Sequence, residues 1–275
     1  MKIQKKSLNC KSKTYIMSSA LNDNFKYSMV IETSDYLHRL EANQFNLFTQ
    51  KLHNGISKTL RKYQGQIIRH NDNTYLAEFD SVTDAILCAL KIQSNFKYIT
   101  PKFDKSIRYL KIGIAQGHTK SAQTLATRMC EVVKDQIVIS LLARNAYEKE
   151  NRNTFINSEH IRTLNHSEKD FLTNLMNYTE TVWKDADFSV PQFAKPLNYS
   201  NSQVYRKLLS LTGKVPSTFI REYRLNRAMH LMHYRKGNIT EIAKLSGFKS
   251  AAYFSKCFKD KFRLLPSKYL QQHAT

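Results

Sequence analysis

The sequence predicts an α+β domain followed by an all-α domain, and three observations carry that expectation. Between Tyr27 and about His166, short apolar runs typical of strands alternate with stretches of helical period. From Ser167 onward every signal is helical. That helical part also repeats itself about fifty residues apart, and self-similarity of this kind marks a duplicated architecture. The expected organisation is a loose basic tail over 1–25, a mixed domain over 26–166 and a helical domain over 167–275.

In order, the polar, aperiodic start gives way to a buried strand, Tyr27–Ile31, and a long amphipathic helix, Asn43–Tyr63. Gln66–Arg69 and Thr74–Phe79 read as two strands of a hairpin turning on Asp72-Asn73, residue types that tolerate positive φ. Ser81–Phe96 is a second helix, Leu110–Ile114 a strand, Thr119–Val133 a third helix and Gln136–Ser140 another strand. Glu148–Glu168 is polar, apart from a Thr154–Leu164 pattern able to close a sheet.

A chain of 275 residues, 41% hydrophobic, is long enough for two domains with cores of their own. No stretch approaches the ~20 continuous apolar residues of a membrane span. Lys and Arg number 43 against 22 acids, a formal +21 that attracts polyanions, with nucleic acid the first candidate. A lysine-rich solvated surface is the alternative reading. Cys10, Cys88, Cys130 and Cys257 are scattered and form no CxxC or Cys/His cluster, so no metal and no cofactor are expected. Met1–Lys13 is basic with no apolar stretch behind it, which speaks against secretion and for the cytoplasm.

In the repeat, Phe193-Ala194-Lys195 returns as Ile242-Ala243-Lys244, Asn198-Tyr199 as Gly247-Phe248, and Val204-Tyr205 as Tyr253-Phe254. Lys207 returns as Lys256, Pro216 as Pro266 and Phe219 as Tyr269. A small residue lets two helices cross closely. Four residues on, Asn198 or Gly247 takes the left-handed conformation of a tight turn, and an aromatic then seals the core. The pattern is a helix-turn-helix, twice. Between the copies, Ser217 is expected to N-cap a helix that runs to about Lys236 and stops at Gly237. About twenty residues at ~1.5 Å each span ~30 Å, close to the ~34 Å of one DNA turn.

Several stretches carry a resemblance: Tyr199–Leu208, Leu211–Ser217, Tyr223–Ala228, Ile239–Ala243, Gly247-Phe248 and Tyr253–Lys259. Through them, residues 187–270 resemble the DNA-binding domain of the AraC/XylS family. Departures are Arg263-Leu264-Leu265 where the family has Gly, an apolar residue and Ser, Ala252 in place of a common Ser, and Pro196 inside a helix. The resemblance implies double-stranded DNA as partner, with recognition helices beginning near Asn201 and Ser250. Asn201, Gln203 and Arg206, with Lys249, Ser250 and Ala251, are then the candidates for base edges, since amides and guanidinium groups make bidentate contacts there. Ala251 or Ala252 is placed to meet a thymine methyl. Lys207, Arg221, Lys256 and Lys259 are the candidates for phosphates. A solvated side chain is the alternative at each position.

The front part resembles the class III nucleotidyl cyclase homology domain, a ferredoxin-like antiparallel sheet with helices. The pieces are Gly65–Arg69, the Asp72-Asn73 hairpin with Tyr75–Phe79, Ala85–Gln93, Leu110–Gly117, Leu125–Met129 and Gln136–Ser140, in the family's order. Active members use two metal-binding aspartates with an Asn and an Arg. Here those positions fall on Glu32, Asn73, Thr124 and Arg128, and only the Arg is kept. Asp72 lies one residue from the metal position. The resemblance therefore implies a non-catalytic regulatory domain that pairs copies of the chain into a homodimer, with Ile31, Leu76 and Leu125 as the apolar framework. An unidentified small-molecule ligand is compatible with that reading. An active cyclase coupled to DNA binding, or a nucleotide-sensing domain, is the alternative.

Overall fold

The structure, a computed structural model, describes residues 25–33, 45–70, 74–99, 110–131, 137–152, 156–157 and 159–272. Its elements begin with β1 (Lys26–Thr33), α1 (Phe45–Lys62), β2 (Gln66–His70), β3 (Thr74–Phe79) and α2 (Val82–Ile99). β4 (Leu110–Gly117), α3 (Thr119–Met129), β5 (Ile137–Ser140), α4 (Leu141–Glu150) and β6 (Ile161–Leu164) follow. The rest is helical: α5 (His166–Val182), a 3-10 turn (Val190–Phe193), α6 (Ala194–Leu197), α7 (Asn201–Thr212), α8 (Pro216–His233), α9 (Ile239–Leu245), α10 (Ala251–Phe262) and α11 (Pro266–Gln272). An α+β region followed by an all-α double helix-turn-helix region is thus the fold. The Asp72-Asn73 turn lies outside the described residues.

Among the described residues, six strands form one sheet in the order β2-β3-β1-β4-β5-β6. β1 runs antiparallel to both neighbours, with Val30 opposite Leu76 on one side and Gly113 on the other. The sheet is mixed rather than purely antiparallel, because β5 and β6 run parallel to β4. The connections explain this: parallel neighbours need a long crossover, and α3 and α4 supply the two. The expected Thr154–Leu164 pattern supplies β6 at the edge. α4 has no counterpart in the sequence reading. It rests on Ser140, whose hydroxyl accepts from the Ala143 amide, and buries Ala143 and Tyr147, too few apolar positions to show a period.

Side chains of a strand alternate between faces, and both faces here are covered, so β1 and β3 are buried along nearly their whole length. On one face Met29, Ile31, Tyr75, Phe79, Ile112 and Ile139 pack with Leu52 and Leu60 of α1, Ile86 of α2 and Tyr147 of α4. On the other, Val30, Leu76, Ala115 and Val138 meet Ala122, Ala126 and Met129 of α3. α3 presses so close that a Cβ on Gly113 would stand 2.3 Å from the Ala126 carbonyl oxygen. Cys88, Cys130 and Cys257 are buried thiols, and burial, with Asp84 beside it, pushes the Cys88 thiol up to about 12.

The second face does not end with α3. Its core continues through Phe171, Leu172 and Leu175 of α5 into Leu197, Val204, Leu208 and Phe219 of the first helix-turn-helix unit. α5 starts on an Asn165 capping box with Glu168, so the step into the helical region near Ser167 is a change of secondary structure inside one continuous core. β6 holds the same junction. Arg162 donates to the carbonyls of Ser210 and Leu211, the last turn of α7, and pairs with Glu168 at 2.9 Å. The second unit has its own core of Leu225, Met229, Met232, Phe254, Phe258 and Tyr269. α8 serves both, with Phe219 and Tyr223 on one core and Leu225 and Met229 on the other.

This packing corrects one expectation. Leu76 and Leu125, named as apolar framework for pairing two copies, pack within the chain on the face covered by α5 and the first unit. Ile31 lies on the opposite face, fully buried against α1 and α2. Among the described residues, no helix is long and apolar enough to cross a membrane.

Candidate nucleic-acid interface

The two turns form as their residue types dictate. Asn198 adopts φ 58° and Gly247 φ 75°, both left-handed, where asparagine and glycine are tolerated best. Tyr199 then packs edge-on against Phe171, and Phe248 against Phe254. Ser200 caps α7 through a capping box with Gln203, and Ser250 caps α10 by accepting from the Tyr253 amide at 3.3 Å. The connector differs at its start: Val215 is the N-cap position of α8 and Pro216 its first helical residue, so Ser217 lies inside the helix. Proline fits there because its fixed φ is helical and its missing N–H has no partner to lose. The helix ends at Tyr234, short of Lys236, where Arg235 turns left-handed at φ 49°.

The second turn is one residue longer than the first. Asn198 and Gly247 correspond, but so do the caps Ser200 and Ser250, and the offset between copies grows by one between them. Past the turn, buried Val204 therefore matches buried Phe254, Leu208 matches Phe258, and exposed Arg206 matches exposed Lys256. The repeat as read from sequence, which set Lys207 against Lys256, is corrected by that residue: Lys207 matches the buried Cys257.

The candidate residues divide accordingly. Asn201 and Arg206 are exposed on α7, and Lys256 and Lys259 on α10. Gln203 is exposed too, but its side-chain oxygen already accepts the Ser200 amide at 2.8 Å. Ser250 is spent on its cap, and Ala251 packs against the second unit's core in the inner row that continues through Phe254 and Phe258. Ala252 and Tyr253 are the exposed residues of that turn; Ser202 is the counterpart of Ala252 on α7, and Tyr205 and Leu209 are exposed further along that helix. The helical period counted outward from Val204 and Phe254 would have found them. Lys207 leans back on α5, its ammonium 4.9 Å from the Tyr199 ring centre and 3.4 Å from the Ser167 hydroxyl. Arg221 donates to Thr218 at 3.2 Å, and Lys249 pairs with Asp187 at 2.6 Å. The hydrogen bond and charge of Lys249 hold the Asp187 carboxyl below its ordinary value.

Contacts between the units fix their relation. Arg224 donates to the carbonyl of Trp183 at 2.8 Å and to that of Asp185, tying α8 to the segment after α5. Glu222 of α8 accepts from Lys214 at 2.8 Å and from Lys261 of α10 at 3.2 Å. Burial raises the Glu222 carboxyl, and the two ammonium groups overcome that and hold it at about 2. Burial brings the Lys261 ammonium down to about 8 against the pull of Glu222.

The cyclase-like positions meet elsewhere. Glu32, Thr124 and Arg128 line one cavity of about 350 Å³, closed on its far side by Glu180 of α5 and Tyr223 and Arg227 of α8. Asn73 lies outside the described residues. Glu32 pairs with Lys111 at 3.9 Å, the Thr124 hydroxyl donates to the Lys120 carbonyl, and Arg128 donates to the Thr173 carbonyl and the Asn177 side chain of α5.

Residues 193–272 match the family described as a helix-turn-helix domain. Together with the doubled turn geometry, the match makes the C-terminal unit an AraC-type helix-turn-helix domain. The chain is 34% identical over 124 residues to histidine kinase P4 of Formosa agariphila, covering 44% of this chain and 9% of that protein. It is 35% identical over 98 residues to the HTH-type transcriptional activator RhaS of Yersinia pestis, 35% of this chain and 33% of that one. Among solved structures, the adenylyl cyclase CyaB from P. aeruginosa aligns with 46% of this chain and 81% of its own, at 14% identity and a TM-score of 0.37. The chain spans 9% and 33% of the length of these two curated relatives.

Proposed function

We propose that the chain is a sequence-specific DNA-binding transcription regulator of the cytoplasm, with residues 26–166 as a non-catalytic, cyclase-like regulatory domain and 167–275 as the DNA-binding domain. One observation carries this reading: two recognition helices expose a basic residue at the same helical position, Arg206 and Lys256, and a single helix, α8, joins their units. Eighteen residues of α8 at ~1.5 Å each span ~27 Å, a scale that suits successive major-groove segments. The net charge of +21 and the name of the RhaS relative support the same partner. Arg206 and Lys256 are then the leading base-edge groups, with Asn201, Ala252 and Tyr253 beside them and Lys259 at phosphates. Pairing of copies through the front domain belongs to the same reading, with Leu76 and Ile31 supporting the domain from inside rather than forming the contact.

The test is a titration of the full chain on duplexes it selects in vitro and on random duplexes. Log affinity is expected to fall linearly with log salt, by ~0.9 per phosphate contact, and a flat line removes nucleic acid as partner. Arg206→Ala and Lys256→Ala are each expected to cost about 1–3 kcal/mol on the selected site and to relax preference at one base position. An equal loss on selected and random DNA would remove the base-reading role from that residue.

A further inference from the structure

The end of α7 is held from outside its own helix-turn-helix unit. An α-helix leaves its last four carbonyls without partners in its own ladder. In α7 these belong to Leu209, Ser210, Leu211 and Thr212. The Leu209 carbonyl accepts the Gly213 amide at 2.8 Å. Those of Ser210 and Leu211 accept from Arg162 of β6 at 3.2 and 3.4 Å, so the sheet supplies the cap from 48 residues upstream of Ser210. A guanidinium suits that place for two reasons. It donates to open carbonyls, and its charge complements the negative end of the helix dipole.

Arg162 is itself fixed. It pairs with one Glu168 oxygen at 2.9 Å, and the other Glu168 oxygen accepts the Asn165 amide at 3.1 Å in the capping box of α5. On β6 it stands opposite Val138 of β5. A chain of contacts thus runs from the sheet edge through the start of α5 to the end of α7. Arg206, a leading base-edge candidate, lies one turn before Ser210 on the same face of α7, and both line the groove that Glu168 shares. Lys207 reaches the Ser167 hydroxyl of α5 at 3.4 Å. The second unit differs. α10 is closed locally, the Arg263 amide donating to the Lys259 carbonyl at 2.8 Å, and Lys261 ties it to Glu222 of α8. Among the described residues, no hydrogen bond or ion pair joins α10 to the sheet.

We infer that Arg162 is a positioning residue for DNA reading: through it the sheet domain sets the placement of α7, and of Arg206 on it, and leaves α10 independent. The rigid guanidinium fork holds two carbonyls and a carboxylate at once, so it fixes direction as well as distance. Movement of β6 against α5 changes which carbonyls the fork reaches, and the end of α7 moves with it. Arg162 touches no DNA in this role. The inference rests on the proposed reading of DNA by α7, and the experiment tells the two failures apart.

The full chain is titrated by fluorescence anisotropy on a duplex it selects in vitro, on single-base-pair variants of that duplex and on random duplexes. Positions relaxed by Arg206→Ala mark the segment read by α7, and those relaxed by Lys256→Ala the segment read by α10. Arg162→Gln is expected to weaken binding to the selected duplex by about fivefold or more, the lower end of couplings between sites, and to change random duplexes by less than about twofold. The lost preference is expected in the α7 segment alone. Arg162→Lys, which keeps a cation for a carbonyl, is expected to fall between the parent and Arg162→Gln. Glu168→Gln keeps an oxygen for the α5 cap but removes the charge that orients Arg162, and it is expected to relax the same segment. The slope of log affinity against log salt is expected to be unchanged in Arg162→Gln, because the residue holds protein rather than phosphate. A slope shallower by ~0.9 makes Arg162 a phosphate contact and overturns the inference. It is overturned as well if preference in the α7 segment survives Arg162→Gln or if both segments relax together. Loss by one factor on selected and random duplexes, the mark of a chain that is merely less folded, overturns it too. A parent without preference for the selected duplex, or an Arg206→Ala that relaxes no position, removes the reading by α7 and this role with it.

Discussion

Gly247 shows how much one residue can carry. Its backbone is left-handed, and a Cβ there would lie 2.4 Å from the Trp183 carbonyl oxygen and 2.9 Å from Arg224 Nε. The turn of the second unit is thereby pressed onto the segment that follows α5. Gly247→Ala is expected to lower stability by about 2–4 kcal/mol, the left-handed penalty plus overpacking, read as a drop in the urea midpoint. Arg263 offers the opposite case. It ends α10 at φ 58°, where Gly213 ends α7 at φ 68°. Arg263→Gly is expected to raise stability by about 0.5–1 kcal/mol, since relief of the left-handed strain exceeds the entropy that glycine loses. A melting temperature unchanged or lowered by that substitution would contradict it. Both turns were visible in the sequence because glycine and asparagine announce a left-handed position locally. The arginine that ends α10 announces nothing, since its type does not favour a left-handed backbone.

At the level of elements, α7 and α10 take their start from serine caps and their exposed faces from the helical period, both legible in the sequence. An extra residue in the second copy was legible too, since Asn198 and Gly247 stand 49 apart and Pro216 and Pro266 stand 50 apart; its place in the turn was not, because Lys207 and Lys256 match in type although one leans inward and the other is exposed. One cluster ties these elements together: Glu222 bridges the loop before α8, α8 itself and α10. With the folded carboxyl at about 2 and the ordinary value at 4.5, the linkage has a definite sign. The stabilisation is fully present above about pH 4.5 and disappears as pH falls from there towards 2. It amounts to at most about 3 kcal/mol, less after solvent screening. Urea midpoints should therefore separate the parent from Glu222→Gln at pH 6, with the gap closing at pH 3. A gap that stays constant between those values would show that the ion pairs do not contribute.

For the whole molecule, the sheet domain and the first helix-turn-helix unit are one packed body, with α5 as the shared wall. The residues at cyclase-like positions are spent on that architecture: Glu32 pairs with Lys111 and Arg128 holds α5. Purified full chain given ATP or GTP with magnesium or manganese is expected to release no cyclic nucleotide above background. Turnover abolished by Asp72→Ala would overturn the non-catalytic reading and restore a metal-carrying aspartate at that hairpin.

By itself, the sequence determined the two fold classes, most strands and helices, both left-handed turns and the AraC-type pattern of the last third. These are local quantities, set by period, capping and turn chemistry within a few residues. Tertiary structure alone decided which face of the sheet α5 covers, that Leu76 and Leu125 are consumed within the chain, and that Lys207 leans inward while Arg206 does not. It also brought Arg128 of α3 opposite Glu180 and Arg227, which lie some fifty to a hundred residues further along. Such juxtapositions depend on how whole elements pack, and packing is a sum over many distant side chains that no short window of sequence contains.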